Sequence, residues 1–356
     1  MKILVINPGS TSTKIAVYNN EHVILQKTIR HQAEELIPYN KVIDQYAFRK
    51  ALILEQLAAE QCPLDFDAVI GRGGLLKPIS SGVYEVNDRM KHDLCHATME
   101  HACNLGALLA DEIASEIPNC KAYIADPVVV DELQNVARIT GSPLLPKQSI
   151  FHALNQKAVA RRYAKSIRTP YEDLNLIVAH LGGGISVAAH HKGRVIDVNN
   201  ALNGSGPFSP ERAGTLPAMQ LVDLCFDGEY SKEQICKMIS GKGGLMAHTG
   251  STDVQQLVKD AATDSDKALL LAAMIYNITK EIASLPVVFP VDEIRNIDAV
   301  ILTGGIAYNE YITKQITERV NFIAPVVVYP GEDEMEALAF NALMALQGEV
   351  TVKEYC

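Results

Sequence analysis

Apolar residues along the chain fall into two rhythms. Short runs rich in β-branched residues and bounded by turn formers predict strands at 2–6, 14–18, 68–70, 121–124, 176–180, 185–189, 299–302 and 326–329. Between them, apolar residues three and four apart predict helices over 39–59, 88–115, 153–166, 210–225, 231–240, 252–262, 266–284, 308–321 and 333–346. Ser231 with Gln234, and Thr252 with Gln255, have the spacing of capping boxes and support two of those starts. Strands alternating with helices in this way predict an α/β fold.

The chain also repeats itself. ILVINPGSTSTKIAVYNNEHVI (3–24) and LIVAHLGGGISVAAHHKGRVI (176–196) both read as an apolar strand, a polar residue, a glycine-bearing turn, a second strand, a polar turn and a third strand. Asn7 lies over His180 and Gly9 over Gly182; after one gap, Val23-Ile24 lies over Val195-Ile196. Chance likeness between strand–turn–strand segments is one account, and a duplicated domain is the other. Small residues in both turns, where strands would meet a ligand, favour duplication. The expected domains are 1–148 and 149–332, with the boundary near 143–150 and a C-terminal helix, 333–356, packing back on the first domain.

With 356 residues, 48% hydrophobic and 21% charged, the chain is long enough for two domains with sizeable cores. Its formal net charge of -10 comes with no basic run, so neither nucleic acid nor an anionic membrane surface is an expected partner. The apolar run at 3–6 is too short for a signal-peptide core, and no eighteen apolar residues follow one another, so no membrane segment is expected. Seven cysteines, an odd number with no Cys-x-x-Cys, read as buried, reduced thiols of a cytoplasmic protein.

Three glycine-bearing turns follow strands. In the first, NPGSTSTK from Asn7 to Lys14, Gly9 allows a tight turn while Ser10, Ser12 and successive N–H groups face a concavity of the kind that holds phosphate oxygens. Lys14 adds charge there unless strand alternation turns it away. A hairpin whose hydroxyls satisfy their own backbone is the plainer reading. In the second turn, the successive glycines Gly182, Gly183 and Gly184 after His180-Leu181 give up chain entropy and packing, which a purely structural turn does not require. In the third, Gly304-Gly305-Ile306-Ala307, strand passes through a Gly-Gly turn into helix, where a nucleotide could lie against backbone.

Isolated polar residues add to these turns. Arg72, framed by Gly71, Gly73 and Gly74, could grip phosphate or carboxylate at two points, or simply extend into solvent. Asp126, before Pro127, is a turn former or a buried acid; His152, opening a helix beside Phe151, is an anion-facing donor or a cap. His92 and His96 stand one helical turn apart with His101 and Cys103 downstream, a spacing that a zinc pair and a solvated His-rich face both fit. A Walker loop, a Gly-x-Gly-x-x-Gly helix start and a Gly-x-Ser-x-Gly elbow are all missing from the sequence, which argues against a P-loop ATPase, a Rossmann dehydrogenase and a serine hydrolase.

Taken in order, Asn7-x-Gly9-Ser10-x-Ser12-x-Lys14, Gly71-Arg72-Gly73-Gly74, Phe151-His152, His180-Leu181-Gly182-Gly183-Gly184 and Gly304-Gly305-Ile306 resemble the acetate and butyrate kinase family over nearly the whole chain. Residues 149–156 and 209–214 look like its butyrate branch. The resemblance implies duplicated ribonuclease-H-like domains of the actin and sugar-kinase ATPase type, with ATP in an interdomain cleft. It implies reversible phosphoryl transfer from ATP to butyrate, giving ADP and butyryl phosphate, with Mg²⁺. A branched-chain, propionate or acetate kinase is the near alternative, and a non-catalytic nucleotide-binding regulator a further one.

By the same resemblance, Asn7, Ser10, Ser12 and Lys14 would form the first phosphate turn, and Gly182 to Gly184 would cradle ATP phosphates. Gly304, Gly305, Ile306 and Ala307 would sit at adenosine. Arg72, Asp126, His152 and His180 would carry catalysis. Gly74, His101, Phe151 and Pro210 would line the acid pocket, Gly74 by leaving room for the extra methylenes of butyrate. Asn7 and Glu334, with Glu332 and Asp333 adjoining, would hold magnesium. The implied partners are a small-molecule carboxylate and a nucleotide, with a homo-oligomer as the expected assembly. Two departures from the acetate kinases stand out. Gly183 replaces the Asn of their His-Leu-Gly-Asn, and Arg212 lies out of register with their second active-site arginine, which puts more weight on Arg72.

Overall fold

The computed structural model describes residues 1–97 and 101–356. Among them, the strands are β1 (Lys2–Pro8), β2 (Ser12–Asn19), β3 (His22–Arg30), β4 (Ala68–Arg72), β5 (Val83–Glu85), β6 (Lys121–Ala125), β7 (Asn175–Leu181), β8 (Ile185–His191), β9 (Arg194–Val198), β10 (Ala299–Gly304) and β11 (Val326–Pro330). The helices that position the site are α1 (Tyr46–Ala59), α2 (Leu105–Ser115), α3 (Ala153–Ile167), α4 (Ser265–Ser284), α5 (Glu310–Val320) and α6 (Glu334–Gln347).

These elements form two compact units, Met1–Val130 with Asp333–Cys356, and Asp131–Glu332. The expected boundary at 148 is therefore corrected to 130. Residues 131–147 belong to the second unit because they are bonded into it: Glu132 to Lys157 and the Val195 amide, Gln134 to Ile196 and Val288, Lys147 to Asp197.

Read from the hairpin inward, the two sheets have one topology. The first is β3-β2-β1-β4-β6 with β5 added at its edge, and the second is β9-β8-β7-β10-β11. In each, the first strand pairs antiparallel with its hairpin partner and parallel with the strand on its other side. The first hairpin leaves four residues, 9–12, between the paired Pro8 and Thr13, and the second leaves three, 182–184, between Leu181 and Ile185. Each third strand carries one extra residue at the aligned position, Ile24 between Val23 and Leu25, and Ile196 between Val195 and Asp197. The duplication expected from the sequence is present.

The central strands read as continuous apolar runs because both faces are covered. In the second unit, Leu176, Val178, Ala299 and Ile301 meet Val159, Ala160 and Ala164 of α3. The alternate residues Ile177, Ala179, Val300 and Leu302 meet Leu271, Met274 and Ile278 of α4 and Ile312 and Ile316 of α5. In the first unit, Leu4 and Ile6 share a core with Ile53 and Leu57 of α1 and Leu105 and Leu109 of α2, while α6 also packs on β1 and β4. By mean hydropathy, Ser265–Val288 is long and apolar enough to cross a bilayer, but Leu271, Met274, Ile275, Ile278 and Ile282 are spent in the core of the second unit.

Several local expectations change. The helix expected over 88–115 breaks after Cys95 and resumes in α2, with His101 accepting from the Cys103 amide; residues 98–100 lie outside the described ones. The helix expected from 210 begins at Ala218, because Gly214 sits at φ +68° and Pro217 precedes the start. The helix expected from Thr252 starts at Val254, capped by Asp253, whereas Ser231 and Gln234 do form their capping box. The thiols are not generally buried. Cys103 is, but Cys95, Cys225, Cys236 and Cys356 lie on solvent-facing helix sides or at the chain end.

Candidate active site

Asn7, Arg72 and Asp126 lie at the ends of three neighbouring strands. Ile6 pairs with Gly71 and Arg72 with Ala125, so parallel β1, β4 and β6 bring the three residues to one sheet end. That is the end at which parallel strands meet ligands in α/β sheets. Helix α2 comes so close here that a Cβ on Gly71 would lie 2.0 Å from the Gly106 carbonyl oxygen, and one on Gly106 2.2 Å from that of Arg72. Glu334, the first residue of α6, completes the group. Its Oε2 accepts from Asn7 Nδ2 at 2.7 Å and from Arg72 Nη1 at 2.9 Å, and its Oε1 lies 2.9 Å from Arg72 Nη2. The Arg72 side chain stays 23% exposed, so its fork is gripped at two points while part of it remains open to an anion. It is not a loop arginine spread into solvent. Asp126 is buried, its Oδ1 accepting from the Gly82 amide at 2.8 Å, and is both the turn former and the buried acid that the sequence left open. Asp126 and Asp333 both sit at φ +39°, a conformation costing about 1–2 kcal/mol for a residue with a Cβ.

The first turn is braced from behind. Gly9 N–H donates to the Ser12 carbonyl at 2.7 Å, closing the turn. Arg49 of α1, 1% exposed, donates to the carbonyls of Gly9 (2.8 Å), Ser10 (3.2 Å) and Ser12 (3.2 Å), to Thr13 Oγ1 (3.1 Å) and to Gln45 Oε1 (2.7 Å). Burial pushes its guanidinium down to about 10, so it stays charged at neutral pH. A trans peptide holds C=O and N–H on opposite sides. Carbonyls of Gly9 and Ser10 turned to Arg49 therefore aim the N–H groups of Ser10 and Thr11 away from it, toward the open side. Lys14 pairs directly with Asn7 across β1–β2, which puts both side chains on one face. Ser10 and Lys14 are exposed and Ser12 is half-buried. Sequence reasoning missed Arg49, although a signal existed: Arg49, Ile53 and Leu57, all buried, recur four apart on one face of α1.

In the second unit, His152 and His180 stack at 3.7 Å with rings 9° from parallel. His180 is buried and its Nδ1 lies 2.7 Å from Asn155 Oδ1; its Nε2 has no hydrogen-bond partner and stands 3.6 Å from Glu332 Oε1. The adjoining glycines are demanded by neighbours. A Cβ on Gly182 would lie 2.8 Å from His180 Nε2, and one on Gly184 2.1 Å from Arg212 Nη1. The Gly183 carbonyl accepts from Ser209 Oγ at 2.6 Å and from the Glu211 amide at 3.3 Å, which aims the Gly184 N–H the other way. Arg212 donates to the Ala201 carbonyl, and burial presses its guanidinium below the usual arginine range, opposed by Glu211. The third turn adjoins the second: Gly304 at φ +90° would put a Cβ 2.4 Å from the Leu181 carbonyl oxygen. Gly305 is open, while Ile306 and Ala307 are buried in a 3₁₀ turn that leads to α5.

The acetokinase family matches residues 146–326. A probable butyrate kinase of Bacteroides thetaiotaomicron is 59% identical over 100% of both chains, and butyrate kinase 1 of Clostridium acetobutylicum is 53% identical over 99% of each. The chain belongs to the acetokinase family. Among solved structures, acetate kinase of Porphyromonas gingivalis superposes with a TM-score of 0.76 at 18% identity, covering 97% of this chain and 99% of that one. The architecture of this acetokinase-family chain is thus the duplicated actin and sugar-kinase type.

Other expected site residues fare differently in this acetokinase-family chain. The place a side chain would take at Gly74 is filled: a Cβ would lie 2.6 Å from Asn104 Oδ1, 2.7 Å from Asn104 Cα and 2.7 Å from Leu94 Cδ2. The expectation that Gly74 opens space for methylenes is overturned by that packing. His101 is exposed and its Nδ1 lies 2.9 Å from Cys103 Sγ, whose thiol burial pushes up to about 11. Phe151 and Pro210 are buried in the second unit. His92 and His96 stack at 4.3 Å, with His96 Nδ1 on the His92 carbonyl at 2.8 Å. Among the described residues, no group of three or more His, Cys, Asp or Glu side chains is arranged to hold a metal.

Proposed function

We propose that this acetokinase-family enzyme transfers the terminal phosphoryl group of ATP to butyrate, giving butyryl phosphate and ADP, and works in both directions. The observation that carries the reading is the Asn7–Arg72–Glu334 constellation at the strand ends, an arginine fork held in place beside a phosphate-type turn. Full-length likeness to proteins named butyrate kinases supports the choice of acid.

Butyrate is already ionised at neutral pH, so the reaction needs no general base. What the protein must supply is in-line placement and positive charge for the phosphoryl oxygens. Arg72 supplies the charge and His152 and His180 supply polar ring nitrogens. The N–H groups of both turns hold phosphate oxygens, and residues 304–307 take adenosine. The Asn7 amide oxygen and the Glu334 carboxylate are hard oxygen donors of the kind Mg²⁺ takes, one or two from protein with phosphate and water completing the shell. Here Glu334 accepts from Asn7 Nδ2 and from Arg72, so holding the ion would require Glu334 to release part of that grip. When bound, it would neutralise charge on the phosphate oxygens. Seven unpaired thiols support a reducing, cytoplasmic location. The helix Ala218–Phe226, with no buried residue and with Met219 and Phe226 exposed, supports a homo-oligomer.

The test is hydroxylamine trapping of acyl phosphate with ATP, Mg²⁺ and a panel of acetate, propionate, butyrate and isobutyrate. Butyrate should give the highest kcat/KM, with a step of about 10-fold or more for each lost methylene. Hydroxamate with none of the acids would end the kinase reading, and a preference for acetate would move the acid. Arg72→Ala should lower kcat about 10²–10³-fold in a folded protein.

A further inference from the structure

A chain of buried polar groups ends on His152. Tyr171 Oη lies 2.7 Å from His190 Nδ1, and His190 Nε2 lies 3.0 Å from Gln156 Oε1. Gln156 Nε2 is 2.8 Å from Ser186 Oγ, which is 2.9 Å from His152 Nδ1. Gln156, Ser186 and His190 are 0% exposed, so solvent offers them no alternative partner.

One contact sets the direction of every bond in the chain. Gln156 Nε2 also lies 3.0 Å from the Ser186 carbonyl oxygen, which can only accept. The amide must therefore turn its nitrogen to Ser186 and its oxygen to His190. His190 then donates from Nε2, and as a neutral ring accepts at Nδ1 from the Tyr171 hydroxyl. Burial pushes His190 down to about 3, assisted by Lys157, opposed by Glu132 and assisted by Arg161, so the neutral ring is the working form. Lys157 and Glu132 are themselves paired at 2.8 Å beside Tyr171. Ser186 Oγ accepts from Gln156, and the buried hydroxyl has His152 Nδ1 as the acceptor beside it, so its own proton goes there. That leaves the His152 proton on Nε2.

We infer that Tyr171, His190, Gln156 and Ser186 form a positioning chain that holds His152 as its neutral Nε2–H tautomer, an uncharged donor for a phosphoryl oxygen. The inference rests on His152 belonging to the phosphoryl-transfer site. The stacked partner is wired the opposite way. Asn155 Nδ2 donates to the Glu332 carbonyl at 2.8 Å, so Asn155 Oδ1 accepts from His180 Nδ1–H, and His180 turns its Nε2 toward Glu332 Oε1 at 3.6 Å. In one ring of the pair Nδ1 accepts, and in the other it donates. Two charged rings at 3.7 Å would repel each other.

Long-range ¹H–¹⁵N spectra of the full-length, ¹⁵N-histidine-labelled protein at pH 8 test this directly, with His152→Gln assigning the signals. The expected result is a bare Nδ1 and a protonated Nε2 on His152. A protonated Nδ1 in the unmutated protein would overturn the inference without any variant. Gln156→Glu keeps the shape but removes both amide donors, so Ser186 should donate to the introduced carboxylate instead and His152 should move its proton to Nδ1. Its kcat should fall about 10–100-fold while KM for ATP and butyrate shifts less than about 3-fold, and Gln156→Glu with an unchanged His152 spectrum would also overturn it. These spectra need no turnover. Absence of acyl phosphate with every acid would defeat the kinase reading while the tautomer is still decided.

Discussion

The turns after β1 and β7 hold the same place in the two hairpins, with four residues between the last paired strand residues in the first and three in the second, and opposite chemistry braces them. Behind the first stands Arg49, a buried permanent charge that grips three carbonyls and leaves the turn residues room. A Cβ on Gly9 would find its nearest neighbour, the Ser12 carbonyl oxygen, at 3.4 Å. Around the second, His180 and Arg212 occupy the space that side chains would need, and neutral hydroxyl and amide donors hold the Gly183 carbonyl. Duplication kept the strand order and let the turn and its support diverge. In one copy glycine is a convenience of the turn; in the other it is imposed by neighbours.

The hardest blow to that contrast is Arg49→Met. It strips donors from Gly9, Ser10, Ser12, Thr13 and Gln45 at once. At about 1–3 kcal/mol for each buried acceptor left unsatisfied, with some relaxation, the loss should reach about 3–5 kcal/mol by urea unfolding, with turnover falling as well. A change below about 1 kcal/mol would mean that Arg49 does not brace the turn.

Acid should separate the two units next. The folded His190 titrates at about 3 against an ordinary value of 6.5, so between those pH values the unfolded chain holds the extra proton. Stability is complete above pH 6.5 and falls as pH drops, by up to about 1.4 kcal/mol per pH unit, or about 2 kcal/mol at pH 5. His31 in the first unit is lowered by its own burial and by Arg49, and adds a loss of the same sign without the large shift of His190. Unfolding curves at pH 7 and pH 5 should show His190→Gln flattening this dependence more than His31→Gln does; the reverse ranking would count against the contrast.

Single methyl groups sharpen it further. Gly184→Ala must displace Arg212 from the Ala201 carbonyl, and should cost about 1–3 kcal/mol and raise KM for ATP. Gly9→Ala meets only ordinary contact distances and should change stability by less than about 0.5 kcal/mol. Equal losses at the two positions, read by thermal unfolding and ATP titration, would erase the distinction drawn between the turns.

Much of this is legible in the sequence. Alternation, turn chemistry and the repeat are local properties of neighbouring residues, so the strand positions, the three glycine turns and the duplicated topology could be read directly. The helix of 210–225 failed at its start because Gly214 takes a left-handed conformation in a place where a Cβ would lie 2.6 Å from the Phe208 nitrogen, a closeness between segments. Gly74 was misjudged for a related reason: a missing side chain says nothing about what fills its place, and Asn104 and Leu94 do, twenty to thirty positions along the chain. The sequence alone determined where the glycine- and hydroxyl-bearing turns fall and which family the motifs resemble, since glycines and hydroxyls announce themselves by type and spacing. Tertiary structure decided what holds those turns open, because Arg49, Arg212 and the Tyr171–His190–Gln156–Ser186 chain act through partners distant in sequence. A hydrogen bond's direction depends on every other bond its atoms make, which no stretch of neighbouring residues contains.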